Sequence, residues 1–177
     1  MKKDVHILIA DDDLGHTSLI RRNLRRSGIA NPIIHFKDGQ EVLDFLFKGQ
    51  APADVPPGET KVNSCLLLLD IHMPKVDGQE VLRRLKMDPE LKKIPVIILS
   101  TTDDPLDIGQ CYYSGCSSYI TKPIKYEKFV EAIQKLALFL KISEMPLIHI
   151  DLKVETEQKT PLATTNKSST QLINRRK

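Results

Sequence analysis

Leu66–Gly78 reads LLLLDIHMPKVDG. Four consecutive leucines need burial on both sides, which suits a central strand of a parallel sheet better than an amphipathic helix or a surface strand. The run ends at Asp70, and Pro74 and Gly78 then break the pattern before the next periodic segment. A carboxylate so placed sits at the carboxyl edge of the sheet, where open α/β folds keep their binding crevices. An isolated aspartate after a strand is more often a turn cap, so its role depends on what the other strands bring to the same edge.

Upstream, Val5 to Ala10 (VHILIA) is a second apolar run ending in carboxylates, Asp11, Asp12 and Asp13. Leu14 to Ser27 places Leu19, Ile20, Asn23 and Leu24 at helical spacing, with Gly28 as its stop. Arg21, Arg22, Arg25 and Arg26 lie near the negative end of that helix, a structural role that needs no ligand. Pro32 to Phe36 reads as a short strand, and a helix from Gly39 repeats Val42, Leu43, Phe45, Leu46 and Phe47 before Gly49. The next segment, APADVPPGETKVNS, carries Pro52, Pro56, Pro57 and Gly58 and reads as a surface loop ahead of the leucine strand, either an interaction feature or a tolerated insertion, with the second reading preferred.

Downstream, Gly78 to Met87 is a helix with Val81, Leu82 and Leu85 on one face. Pro95 to Leu99 is a fourth buried strand, leading to Ser100. A weaker helix from Asp104 to Ser114 is expected to turn Cys111, Tyr112 and Tyr113 to the core. Ser117 to Thr121 is strand five, ending at Lys122 and Pro123, and Lys125 to Lys141 is an amphipathic last helix. Strands alternating with helices call for a parallel sheet with right-handed crossovers and helices on both faces. After Ser143, Ile148, Ile150, Leu152 and Val154 alternate with polar residues, which predicts a half-buried strand over 147–155 paired with a sheet edge or another chain. Beyond Glu155 the composition predicts disorder.

The chain's 177 residues suit one domain and a tail, and 41% apolar with 28% charged residues is a soluble globular composition. A formal net charge of +3 is too small to imply a nucleic-acid partner. The N-terminal segment is neither signal peptide nor membrane span, so a cytoplasmic protein without membrane contact is expected. Cys65, Cys111 and Cys116 form no zinc-like spacing and read as reduced core thiols.

Collected at the strand ends are Asp11, Asp12 and Asp13 from strand one, Asp70 from strand three, Ser100 from strand four and Lys122 from strand five. If strands one and three are neighbours, the carboxylates converge and repel, and a divalent cation resolves the repulsion. Oxygen ligands favour a hard ion, Mg²⁺, over zinc. Such an ion would let an ionised Asp70 approach a phosphoryl group, while Lys122 and the Ser100 hydroxyl hold its remaining oxygens. The Lys122–Pro123 bond is the one place here where a cis peptide would aim that lysine inward.

With these motifs in place, Val5 to about Ile142 resembles the receiver domain of two-component response regulators. The matching residues are Asp11 and Asp12, Asp70 in LLLLDIHMPKVDG, Ser100 in PVIILS, Tyr119, and Lys122 with Pro123 in YITKPI. The resemblance implies a flavodoxin-like, doubly wound five-stranded parallel sheet of order 2-1-3-4-5 with five helices in three layers. It implies a receiver over residues 1–142 and a tail over 143–177. Asp70 takes the place of the phosphoacceptor, Asp11 and Asp12 of the metal-binding acids, Ser100 and Tyr119 of the switch pair, and Lys122 of the invariant lysine. The backbone carbonyl of His72 takes the place of the remaining metal ligand, with its imidazole not implicated. Asp13 falls outside this set and reads as a cap for helix one.

The implied function is a phosphoacceptor signalling protein rather than an enzyme in the ordinary sense, one that assists its own aspartyl phosphorylation and dephosphorylation. Its partner is a sensor histidine kinase, and self-association or docking is expected through the face of helix four, strand five and helix five. The proline-rich loop and the ending SYITKPIKYEKFVEAIQKLALFLK resemble stand-alone regulators that serve phytochrome-type kinases. Too little chain follows residue 142 for a DNA-binding output domain, so no direct action on DNA is expected. Among rivals, a flavodoxin needs Gly, Ser and Thr amides where this chain has three aspartates. An aspartyl-phosphate phosphatase carries DxDxT, from which DDDLG departs. A pseudo-receiver acting only as an interaction module would not need Asp70, Asp12 and Lys122 together, and a phosphorelay intermediate passing phosphate to a histidine phosphotransferase would keep the same site.

Overall fold

The structure, a computed structural model, describes residues 4–52, 55 and 60–153. Residues 56–59 of the proline-rich segment, Val154 and Glu155 of the expected strand and the predicted disorder beyond Glu155 lie outside the described residues. In chain order the elements are β1 (His6–Ala10), α1 (Leu14–Arg26), β2 (Ile33–Phe36), α2 (Gly39–Lys48), β3 (Lys61–Val62), β4 (Cys65–Leu69) and α3 (Gly78–Met87). A 3₁₀ turn (Leu91–Lys93), β5 (Val96–Ser100), α4 (Pro105–Tyr113), β6 (Ser118–Thr121), α5 (Tyr126–Ile142) and β7 (Ile150–Asp151) follow. Five strands form one parallel sheet of order β2-β1-β4-β5-β6. Counting only those five, this is the 2-1-3-4-5 order expected from the sequence.

The leucine run explains itself once the layers are seen. Leu66 and Leu68 join Ile7, Ile9, Ile20, Leu24, Phe129 and Ile133 in the core under α1 and α5. Leu67 and Leu69 point the other way, into a core with Phe36, Phe45, Leu82 and Leu85 from the α2 and α3 side. Alternate side chains of one strand thus serve two hydrophobic cores, and every residue of β1, β4 and β5 is buried.

Local signals act as capping chemistry predicts. Asp13 caps α1 by accepting from the N–H groups of Gly15 at 2.7 Å and His16 at 3.1 Å. At the other end Arg25 donates to the Ile29 carbonyl at 2.9 Å. All three cysteines are buried and free, and burial pushes the Cys111 thiol up to about 11. In α4 only Cys111 turns inward, while Tyr112 and Tyr113 are exposed, contrary to expectation. Consecutive helical residues are about 100° apart, so three in a row cannot share one face. Phe47 likewise ends half-exposed at the outer end of α2. Among the described residues no helix is long and apolar enough to cross a membrane.

The segment after α5 folds back under the sheet. Ser64 Oγ donates to the Pro146 carbonyl, the Ile148 N–H to the Asn63 carbonyl and the Leu152 N–H to the Thr60 carbonyl. β7 pairs antiparallel with β3, and the Lys153 N–H reaches the Gly49 carbonyl at 2.7 Å. Ile148, Ile150 and Leu152 are buried in the same core as Val62, Phe45 and Leu46. The strand's partner is therefore neither an edge of the main sheet nor another chain. It is the end of the loop that the sequence presents as a tolerated insertion, whose Val62 is fully buried.

Candidate active site

Register brings the strand ends together. Ala10 lies opposite Leu69, and the Asp70 N–H donates to the Ala10 carbonyl, so Asp11 and Asp70 leave adjacent strands side by side. Ser100 lies opposite Thr121, and the Lys122 N–H donates to the Ser100 carbonyl at 2.7 Å. The Lys122 ammonium then crosses the sheet edge to donate to Asp70 Oδ2 at 2.6 Å and Asp11 Oδ2 at 2.8 Å. All three side chains are nearly inaccessible to solvent. The Lys122–Pro123 bond is trans. The lysine reaches inward without a cis peptide because the β6 register already places it between the two carboxylates.

Asp11, Asp12 and Asp70 present carboxylate oxygens that all lie within 4.8 Å of one another, with Asp12 exposed. One ammonium between two buried carboxylates leaves a surplus negative charge, which is costly away from water. Burial pushes the Asp11 carboxyl up despite the lowering effect of Lys122. The set therefore fits a hard divalent cation held by Asp11, Asp12 and Asp70. The His72 side chain is exposed, and its backbone N–H donates to Asp70 Oδ1 at 3.4 Å.

The loop after Asp70 is fixed from below. The Gly78 N–H donates to the Ile71 carbonyl at 2.8 Å, and a Cβ at Gly78 would sit 2.1 Å from the Asp70 carbonyl oxygen. Lys75, with φ 65°, donates from Nζ to Asp38 Oδ2 at 2.7 Å, while Asp38 Oδ1 caps α2 by accepting from the Glu41 N–H. Gly78→Ala should therefore cost about 1–3 kcal/mol of stability as the loop shifts away from the added methyl. A urea midpoint equal to that of the parent would contradict this.

Ser100 is fully buried, and its Oγ accepts from the Thr102 N–H at 3.4 Å. Tyr119 is half-buried, donates from its hydroxyl to the Thr102 carbonyl at 3.0 Å, and burial pushes its phenol up. Thr102 thus links the two residues, and its Oγ1 donates to Asp107 Oδ2 at 3.4 Å. Sequence reasoning brought together Asp11, Asp12, Asp70, Ser100, Tyr119 and Lys122, and it set Asp13 aside correctly as a cap. It missed Thr102, the Asp38–Lys75 clamp and His16, whose Nδ1 lies 3.4 Å from Lys122 Nζ. His16 carried a signal, because three residues after the cap Asp13 it lies one helical turn along from that carboxylate.

A five-stranded parallel sheet with acids and a lysine converging at its carboxyl edge defines a class, and comparison with known proteins gives the family. The response regulator receiver domain matches residues 7–134, and this chain belongs to that family. Receiver domains are signalling proteins of two-component systems whose general function is to accept a phosphoryl group, and they bind a divalent metal. The crystal structure of a response regulator receiver domain from Rhodospirillum rubrum is 40% identical, with a TM-score of 0.71 over 81% of this chain and 98% of that one. Response regulator Rcp1 of Synechocystis is 31% identical over 133 residues, 75% of this chain and 86% of Rcp1. The Mn²⁺-bound form of Rcp1 has a TM-score of 0.69 at 29% identity, covering 80% of this chain and 98% of that chain. The phosphorylated cyanobacterial phytochrome response regulator RcpA is 30% identical with a TM-score of 0.68, covering 80% and 97%.

Proposed function

We propose that Asp70 accepts a phosphoryl group from the phosphohistidine of a sensor kinase in the cytoplasm and that the resulting acyl phosphate changes the protein's surface. The observation that carries this reading is the Lys122 ammonium joining Asp11 and Asp70 at the sheet edge. An Asp70 carboxylate oxygen forms the new O–P bond as the P–N bond breaks. The electron pair leaves with the imidazole, which takes a proton from water. Mg²⁺ bound by Asp11, Asp12, Asp70 and the His72 carbonyl would neutralise charge between the two anions. Lys122 supplies a fixed positive charge beside the phosphoryl oxygens, and the burial around it strengthens that interaction. Similarity to the cyanobacterial phytochrome response regulator RcpA supports a phytochrome-type kinase as donor.

The output follows from Ser100 and Tyr119. The Ser100 hydroxyl moves toward the phosphoryl group, and Tyr119 leaves Thr102 for the space released. The gain is limited to the differential interaction of the phosphoryl group with the two states, a coupling of about 1–3 kcal/mol, so the response is graded. The surface affected is that of α4, β6 and α5, where Leu106, Tyr113 and Ile124 are exposed, and it serves self-association or docking. Sedimentation of the beryllofluoride-treated protein against Ser100→Ala tests this, and an unchanged mass on treatment would remove the self-association.

Phosphoramidate with Mg²⁺, followed by intact mass, tests the reading as a whole through the gain of one phosphoryl group. Asp12→Ala should fold normally, because the residue is exposed. It should bind Mg²⁺ roughly tenfold or more weakly, since even a group that only orients a metal's ligand is typically worth that much. Parent-like labelling of Asp12→Ala at limiting Mg²⁺ would contradict the metal assignment.

A further inference from the structure

An ammonium carries three N–H bonds and no lone pair. At Lys122 two are directed at Asp70 and Asp11, and the third finds His16 Nδ1 at 3.4 Å. Since the ammonium can only donate, Nδ1 must offer its lone pair, which places the proton of the neutral ring on Nε2. The carboxylates facing the ring, Asp11 Oδ1 at 3.8 Å and Asp13 Oδ2 at 3.7 Å, lie beyond hydrogen-bond range of Nδ1. The imidazole is set edge-on to Phe129 of α5, with ring centroids 5.7 Å apart at 70°. Asp11 and Asp70 belong to the carboxylate set that fits a cation, whereas the His16 lone pair does not. Of the three acceptors around the ammonium, His16 alone is not shared with that set.

We propose that His16 is a positioning residue for phosphoryl transfer. Through Nδ1 it holds the Lys122 ammonium in the orientation from which it meets the phosphoryl oxygens on Asp70. This rests on Asp70 as the phosphoacceptor.

Two substitutions separate the lone pair from the ring. His16→Phe keeps an aromatic edge against Phe129 and removes the acceptor, and His16→Asn loses the ring but offers an amide oxygen near the position of Nδ1. With phosphoramidate and Mg²⁺, His16→Phe should label about fivefold more slowly than the parent, the effect of one ordinary hydrogen bond. His16→Asn should recover most of that rate, and urea midpoints should not follow the same order. Parent-like labelling of His16→Phe, or equal slowing in both variants, would overturn the proposal. Long-range ¹H–¹⁵N spectra of the metal-free protein supply an arm independent of labelling. The Nε2–H tautomer of His16 is expected, and an Nδ1–H tautomer would also overturn the proposal. Failure of the parent itself to label would instead count against Asp70 as acceptor, leaving the tautomer measurement to decide the role of His16.

Discussion

Asp70→Asn is expected to take up no phosphoryl group under conditions where the parent gains one, a complete loss rather than a slowing. An amide oxygen is neutral and a poor nucleophile, and the other carboxylates cannot substitute. Asp11 is buried beneath the same lysine, and Asp12 is exposed. The substitution should not harm the fold. Asn can turn its oxygen to accept from Lys122, while removal of one of two buried carboxylates leaves one ammonium balanced against Asp11 alone. The metal-free variant should therefore be at least as stable as the parent to urea. Equal labelling of variant and parent, read by intact mass, would sink the assignment of Asp70. A large loss of stability would sink the charge argument.

Ile148→Ala is expected to cost about 2–5 kcal/mol, the range for removing most of a large aliphatic side chain from a packed core. That is a sizeable part of the roughly 5–15 kcal/mol that holds an ordinary domain folded. Ile148 is 1% exposed, lies in the core with Val62 and Phe45, and is pinned by its N–H to the Asn63 carbonyl. Its neighbour Leu147 is 70% exposed, so Leu147→Ala should stay within about 0.5 kcal/mol of the parent. Equal urea midpoints for the two variants would mean that the segment after α5 is not docked under the sheet. A chain ending at Glu155 keeps this docked segment and every residue of the candidate site, and its labelling rate should match that of the full chain.

Asp70 was legible in the sequence because an apolar run buried on both faces stops where the strand leaves the sheet, and the first polar residue after it marks the carboxyl edge. The same logic, applied to the runs ending at Asp11, Ser100 and Lys122, gathers residues of the candidate site at one sheet edge. Caps were legible for a similar reason. Asp13 acts on the N–H groups of Gly15 and His16, two and three residues on, so its chemistry is local.

Tertiary structure decided what depends on register and on partners far along the chain. Lys122 meets Asp11 across 111 positions and Asp70 across 52, and His16 completes the set across 106. The alternation of Ile148, Ile150 and Leu152 foretold a half-buried strand but could not name its partner. A period of two specifies which side chains turn inward, while the choice among available backbone edges rests on where α5 ends and on Lys61–Val62 lying where the returning segment can pair with it. The inward turn of Cys111 against the exposure of Tyr113 has the same origin. Composition proposes which residues are apolar enough for a core, and the rotation of the packed helix selects among them.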